Sequence, residues 1–357
     1  MTSSRVTSAS PYRVTPVTQS QAAGYPETVT TFVERPLGCL SPVLLDPVVD
    51  DPESIRDIAV RNGPYFMPAR YLVSDASADS VGDNSMQRDV EVPDYLIGPT
   101  WRGDWAVGSR PLVDGIDDFL EHQGFAEAAR TIYDAEVVVP EQVYANLSTP
   151  MPGQGFSHTD IPEFVGIDRS NAPGWLLQAM GTSRLFEDVR ITIVTAVAWF
   201  YRGERGFFRY WPKGRDSDSI RHEKMWNTAA VGDNDYMHHQ VERIGPAGVN
   251  KPDGLTINSL LDHDGERWIV QEDGQTLLDY GDEDVRLSVS WKAKIYADEA
   301  TRQAADAGEG GIGLDEVVAR LADALGEPRP ENAKSALGSA EFRNHVTARW
   351  NGYQAGR

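Results

Sequence analysis

Apolar residues recur along this chain at two different spacings, and the change from one to the other divides it. From Pro36 to Val73 short apolar runs alternate with Pro and Gly, and Asp51-Pro52-Glu53-Ser54 ahead of Ile55, Ile58 and Ala59 predicts a helix start. Leu112 to Tyr133 brings Ile116, Phe119, Leu120, Ala128 and Ile132 near helical spacing, weakened by Gly115 and Gly124, which predicts one interrupted amphipathic helix or two short ones. Beyond Tyr133 the period falls to two. The stretches 135–139 and 142–147 read as strands, 190–201 as a long strand apolar on both faces, and 268–270 and 285–296 as two more, with a short helix or connector at 175–186. Helical spacing returns at Leu314, Val317, Val318, Leu321 and Leu325, stopped by Gly326 and Pro328, and a second helical stretch is expected over 331–350. Residues 1–35 and 74–90 show neither period and are expected to be a flexible N-terminal segment and a surface loop.

Alternation also sorts the polar residues. In 233–245, read as a strand, Met237, His239 and Val241 share the apolar face while Tyr236, His238, Gln240 and Glu242 share the other, so His239 is expected inward and His238 outward. In the last strand Arg286, Ser288, Ser290 and Lys292 fall on one face and Leu287, Val289, Trp291 and Ala293 on the other. A basic residue followed two positions later by a hydroxyl can clamp a carboxylate, although an edge strand with a wet face shows the same pattern. Tyr144 and Asn146 form a polar pair on one strand face, suited to holding a co-substrate or simply solvated. The glycine-punctuated segment 203–214 brings together Arg209, Tyr210 and Trp211, either lining a substrate cleft or packing its aromatics into the core. It and the Pro/Gly/Asp-rich loop 246–266, which carries His263, are expected to border the substrate entrance.

Charge narrows the partners. The balance of 33 basic to 54 acidic residues, net −21, opposes contact with nucleic acid or an anionic membrane, because both need a positive surface. The single cysteine, Cys39, excludes an intrachain disulfide, and no apolar run approaches the roughly 20 residues that span a bilayer. Met1 to Ser10 lacks a signal-peptide apolar core, so a cytoplasmic location is expected. A small-molecule substrate is the expectation that remains.

Candidate chemistry concentrates in Gly155-Phe156-Ser157-His158-Thr159-Asp160-Ile161-Pro162. If this stretch is extended, His158 and Asp160 project to one face. Joined by an inward His239 from a distant strand, they place three ligands on one side of an ion and leave the other side open, a two-His, one-carboxylate set that suits non-haem Fe(II) oxygen chemistry.

Taken together, His158-x-Asp160, the strand-borne His239 and Arg286-x-Ser288 on a later core strand resemble the Fe(II)/2-oxoglutarate-dependent dioxygenases over residues 140–297. The resemblance implies a fold that is mainly β with flanking helices around a double-stranded β-helix, a cupin-like jelly roll. It implies His158, Asp160 and His239 as iron ligands, and Arg286 with Ser288 as the clamp for the far carboxylate of 2-oxoglutarate. Fe(II), 2-oxoglutarate and O2 are then the cofactor and co-substrates, and the reaction releases succinate and CO2 while hydroxylating an unactivated C–H of a small metabolite. The presence of Asp160 favours hydroxylation, desaturation or cyclisation over halogenation, for which relatives replace the carboxylate. His239 and Arg286 lie farther apart than is common in the family, and the excess reads as an inserted loop over 246–284, with Arg243 as the reserve clamp. The expected division is 1–35, 36–140, a catalytic core at 141–297 and a helical extension at 298–357. Two further classes stand beside this one: a cupin-type metal enzyme that does not use 2-oxoglutarate, such as an isomerase or an extradiol-type dioxygenase, and a non-enzymatic jelly-roll binding module.

Overall fold

The computed structural model describes residues 39–70 and 97–350; the expected flexible segment 1–35 and loop 74–90 lie outside them. In chain order the strands are β1 (Val43–Leu45), β2 (Tyr65–Phe66), β3 (Thr100–Val107), β4 (Arg110–Pro111), β5 (Val137–Ser148), β6 (Glu163–Phe164), β7 (Arg190–Phe200), β8 (Phe208–Trp211), β9 (Ile220–His222), β10 (Trp226–Gly232), β11 (His238–Val241), β12 (Leu260–His263), β13 (Trp268–Glu272), β14 (Gln275–Tyr280) and β15 (Arg286–Tyr296). The helices are α1 (Pro52–Arg61), α2 (Asp117–Leu120), α3 (Gln123–Tyr133), α4 (Gly174–Ser183), α5 (Glu299–Asp306), α6 (Leu314–Leu325), α7 (Ala333–Leu337) and α8 (Ala340–Trp350). Among the described residues no helix is long and apolar enough to cross a membrane.

A large antiparallel sheet runs in the order β1-β10-β7-β15-β5-β3-β2-β12-β13-β14, and a small sheet, β11-β8-β9, faces it. This is the mainly β arrangement with flanking helices, around a double-stranded β-helix, that the resemblance implies. The outward face of β15 buries Leu287, Val289, Trp291 and Ala293 with Val143, Ala145 and Leu147 of β5 and with Ala196 and Ala198 of β7. Helices α1 to α3 cover that face, and Trp291 Nε1 donates to the Leu120 carbonyl at 2.7 Å. Each fully buried large side chain contributes about 1.5–3 kcal/mol of transfer free energy. The interrupted helix resolves into α2 and α3, because His122 Nδ1 accepts from Phe125 N at 3.1 Å and so caps a new helix where the first ends. Helices α6 to α8 gather with α4 around Phe164, Phe186, Leu321 and Val346 in a separate apolar cluster.

Two expectations about connections change. The segment 246–284, expected as an inserted loop with one strand at 268–270, contains that strand as β13 and two more, β12 and β14; together they extend the large sheet beyond β2 and bury Leu261, Trp268 and Val270. Within 233–245 only β11 is strand. Asp233 instead opens a turn in which its carbonyl accepts from Tyr236 N at 2.9 Å and from Met237 N at 2.7 Å. The boundary drawn at 140/141 falls inside β5, and β1, β2 and β3 all belong to the core sheet.

Candidate metal centre

The metal stretch is an irregular edge laid antiparallel along β11. His158 N donates to His239 O at 3.0 Å and His239 N to His158 O at 2.9 Å; farther back, Met151 and Ile244 exchange the same pair of bonds, each at 3.0 Å. Gly153 makes this approach possible, since it holds φ at +105° and a Cβ there would stand 2.9 Å from Arg243 N. Asp160 N then donates to Asn234 O at 2.8 Å, which turns the carboxylate towards the two imidazoles. His158, Asp160 and His239 thereby offer ligand atoms that all lie within 4.8 Å of one another.

The donor set suits a divalent metal. His239 Nδ1 sits 2.9 Å from the Met237 carbonyl and so carries the proton there, leaving Nε2, 3.6 Å from Asp160 Oδ1, as the electron-pair donor. His158 Nδ1 is buried without a hydrogen-bond partner among the described residues. Burial, and after it the neighbouring His239, holds the His158 imidazole down to about 3, in the neutral form a metal requires. Burial by itself would raise the Asp160 carboxyl, but Lys292 and then His239 more than reverse this and hold it well below the usual carboxylate range.

Lys292 is the residue the sequence reading passed over. Its Nζ donates to Asp160 Oδ2 at 2.6 Å, and Thr195 Oγ1 donates to the same oxygen at 3.2 Å. The carboxylate is thus divided: Oδ2 is tied to the large sheet and Oδ1 faces the histidines. Burial opposes the Lys292 charge and Asp160 restores it, leaving its pKa above the ordinary lysine value.

Six positions earlier on β15, Arg286 presents the opposite case. It is 2 % exposed, its Nε donates to Gly206 O at 2.7 Å and its Nη1 to Ser288 Oγ at 3.2 Å, while Nη2 has no partner among the described residues. No carboxylate pairs with it there, and burial pushes the guanidinium down to about 10. Gly206, with φ +67°, belongs to this arrangement because a Cβ would stand 2.9 Å from Arg286 Cδ.

The other candidates divide between the two sides of the jelly roll. Ser288 pairs with Asn146 and Ser290 with Tyr144, so both members of the polar pair on β5 share the inner face with Arg286 and Lys292. Arg243 is half-buried, with Nε lacking a partner among the described residues. Phe208 and Tyr210 point inward, with the Phe208 ring 5.6 Å from His239, so Arg209 and Trp211 occupy the opposite face of β8. There Arg209 pairs with Glu242 and donates to Ser219 Oγ at 2.7 Å, and His238 pairs in register with Trp211. His263 lies on β12, edge-on to Trp268 at 5.1 Å.

No protein-family model matches this chain, and no curated protein does. Among solved structures it is similar to a Pseudomonas putida prolyl-4-hydroxylase, at 12 % identity and TM-score 0.35 over 72 % of this chain and 94 % of that one. It is also similar to SnoK, a non-heme alpha-ketoglutarate-dependent carbocyclase from nogalamycin biosynthesis (9 % identity, TM-score 0.38, 71 % of this chain and 79 % of that one). HygX from Streptomyces hygroscopicus, with nickel, 2-oxoglutarate and hygromycin B bound, aligns at 10 % identity and TM-score 0.36 over 71 % of this chain and 83 % of its own. At such identities and scores the chemistry is decided by the site itself.

Proposed function

We propose that this protein is an Fe(II)- and 2-oxoglutarate-dependent oxygenase that hydroxylates an unactivated C–H of a small molecule, releasing succinate and CO2. The observation that carries the reading is Arg286, a buried guanidinium that no carboxylate pairs with among the described residues, on the same inner strand face as the lysine that touches the His158, Asp160 and His239 set. Burying an unpaired charge is expensive, and a chain that keeps one inside its core gains if a ligand anion neutralises it. A planar guanidinium flanked by a hydroxyl matches the two oxygens of a carboxylate, here the far carboxylate of 2-oxoglutarate. A cupin-type metal enzyme without the oxo acid, or a plain binding module, leaves that charge unexplained.

Within this reading His158, Asp160 and His239 hold the iron, which when bound supplies the oxidising chemistry. The chain's own residues orient and exclude. Met237 O holds the His239 tautomer, Lys292 and Thr195 hold Asp160 with one oxygen presented, and Arg286 with Ser288 fixes the oxo acid at its distal end. Trp199, Phe208 and Tyr210 close the space between the two sheets against water.

The test measures succinate release from 2-oxoglutarate with Fe(II) and ascorbate across a metabolite library, alongside calorimetric binding of 2-oxoglutarate in the presence of Mn(II). Turnover that needs His239, and oxo-acid binding that needs Arg286, are expected. Metal binding at the three ligands with no oxo-acid binding would return the protein to the wider group of cupin-type metal enzymes.

A further inference from the structure

Two of the three candidate ligands hang on one turn. Residues 233–237 join β10 to β11, and all five are buried. The Asn234 carbonyl accepts Asp160 N at 2.8 Å and the Met237 carbonyl lies 2.9 Å from His239 Nδ1, so this turn sets where the carboxylate starts and how one imidazole is oriented. Its own bonds, from Tyr236 N and Met237 N to the Asp233 carbonyl, define its shape. Its place against the large sheet needs a tie from outside.

Arg190, the first residue of β7, supplies that tie. It is 3 % exposed; its Nη2 donates to the Asp235 carbonyl at 3.4 Å and lies 3.6 Å from Asp235 Oδ2, and its Cζ stands 3.9 Å from the centroid of the Tyr236 ring. Glu187, three residues earlier, joins the same two side chains: Oε1 accepts Arg190 Nη1 at 3.2 Å and Oε2 accepts the Tyr236 hydroxyl. Arginine, aromatic ring and carboxylate thus close on one another. The turn that carries Glu187 is itself anchored, since Phe186 packs among the helices of the second apolar cluster and Arg320 of α6 donates to the Leu185 carbonyl at 3.3 Å and to Asp188 Oδ1 at 3.1 Å. A buried arginine and carboxylate are a poor source of net stability, because apolar side chains of the same volume often serve as well. A planar guanidinium adds direction, which apolar packing does not.

We propose that Arg190, locked by Glu187, is a positioning residue for the metal centre: it holds the 233–237 turn so that the Asn234 and Met237 carbonyls keep Asp160 and His239 at the separations a metal needs. The inference rests on the metal-centre part of the oxygenase reading. Arg190 and Glu187 act through two backbone carbonyls rather than by contact with metal or substrate. The C-terminal helices take part in the site by this route, since α6 braces the turn that carries Glu187.

The test compares the full chain with Arg190→Met and Glu187→Ala, each with a melting curve to confirm the fold. In the metal-free protein, amide hydrogen exchange is expected to speed up at least tenfold at Asp160 and to stay unchanged at Met151 and Ile244, which pair at the far end of the same edge. Mn(II) affinity, read by calorimetry, should fall about 10–100-fold in the same variants. Glu187→Gln, which keeps one acceptor oxygen, should recover part of both. Exchange that rises equally at all three amides, or Mn(II) affinity that matches the parent, would make Arg190 and Glu187 merely structural and overturn the proposal. If Arg190→Met does not fold, Glu187→Ala decides alone. Should the parent bind no metal, the oxygenase reading falls by itself; exchange then decides the clamp, with a selective rise at Asp160 supporting it and no difference overturning it.

Discussion

Arg286 and Lys292 lie on the same face of the same strand, the first buried, the second half-buried and both cationic, and the chain treats them in opposite ways. Lys292 has its counter-charge supplied from within, by Asp160 at 2.6 Å, and its pKa rises. Arg286 has only a carbonyl and a hydroxyl, and its pKa falls to about 10. An internally paired cation contributes to the shape of a site, whereas an internally unpaired one costs stability until a ligand meets it. The two ends of β15 thus separate a cation paired from within from one that has no carboxylate partner among the described residues.

The comparison collapses first if the metal ligands are not what Lys292 positions. His158→Ala, Asp160→Ala and His239→Ala are each expected to abolish Mn(II) or Fe(II) binding in a calorimetric titration, while His238→Ala, on the opposite face of β11, binds as the parent does. Retained binding in the His239 variant with loss in the His238 variant would reverse the face assignment.

Next in size is Arg286. Removing one partner of a buried charge pair costs about 3–5 kcal/mol, so Arg286→Ala should raise the apparent 2-oxoglutarate constant by a few hundredfold or more. Because this guanidinium is unpaired without ligand, Arg286→Met should leave the melting temperature of the ligand-free protein unchanged or higher. A large fall in melting temperature with 2-oxoglutarate binding intact would make Arg286 structural, and a large effect at Arg243→Ala instead would move the clamp there.

Lys292→Met should behave in the contrary sense. It strands a buried carboxylate, with an expected stability loss of about 3 kcal/mol in the metal-free protein. Metal affinity should fall about 10–100-fold as Asp160 loses its orientation. Lys292→Arg should restore part of both, a rescue that loss of packing alone does not predict; equal melting curves for parent and Lys292→Met would remove the positioning role.

The smallest effect tests the hydroxyl beside the clamp. Ser288→Ala removes one hydrogen bond to a charged group, about 1.5 kcal/mol, and so raises the 2-oxoglutarate constant roughly tenfold with metal affinity unchanged. A shift in metal affinity of the same size would place Ser288 in the metal centre rather than in the clamp.

Much of this was legible in the chain itself, because period and end signals are local. Alternation set Leu287, Val289, Trp291 and Ala293 against Arg286, Ser288, Ser290 and Lys292, and it put His239 on the buried face of its strand. Asp51 and Gly326 marked where α1 begins and α6 ends. The two-residue spacing of His158 and Asp160 placed both beside β11, where they meet His239. Alternation states which face a residue occupies but not what lies opposite that face, since strand order comes from pairings between residues far apart in the chain. Only the folded sheet brought Lys292 to Asp160 across 132 positions and Arg286 to Gly206 across 80. It also paired the strand at 268–272 with two further strands inside 246–284 and sent Arg209 to the outer face of β8. The sequence by itself therefore determined most of the elements, their buried faces and the three residues that could hold a metal. The tertiary structure alone decided which buried cations find a carboxylate and which do not, because charge pairing depends on side-chain distances that no local spacing encodes.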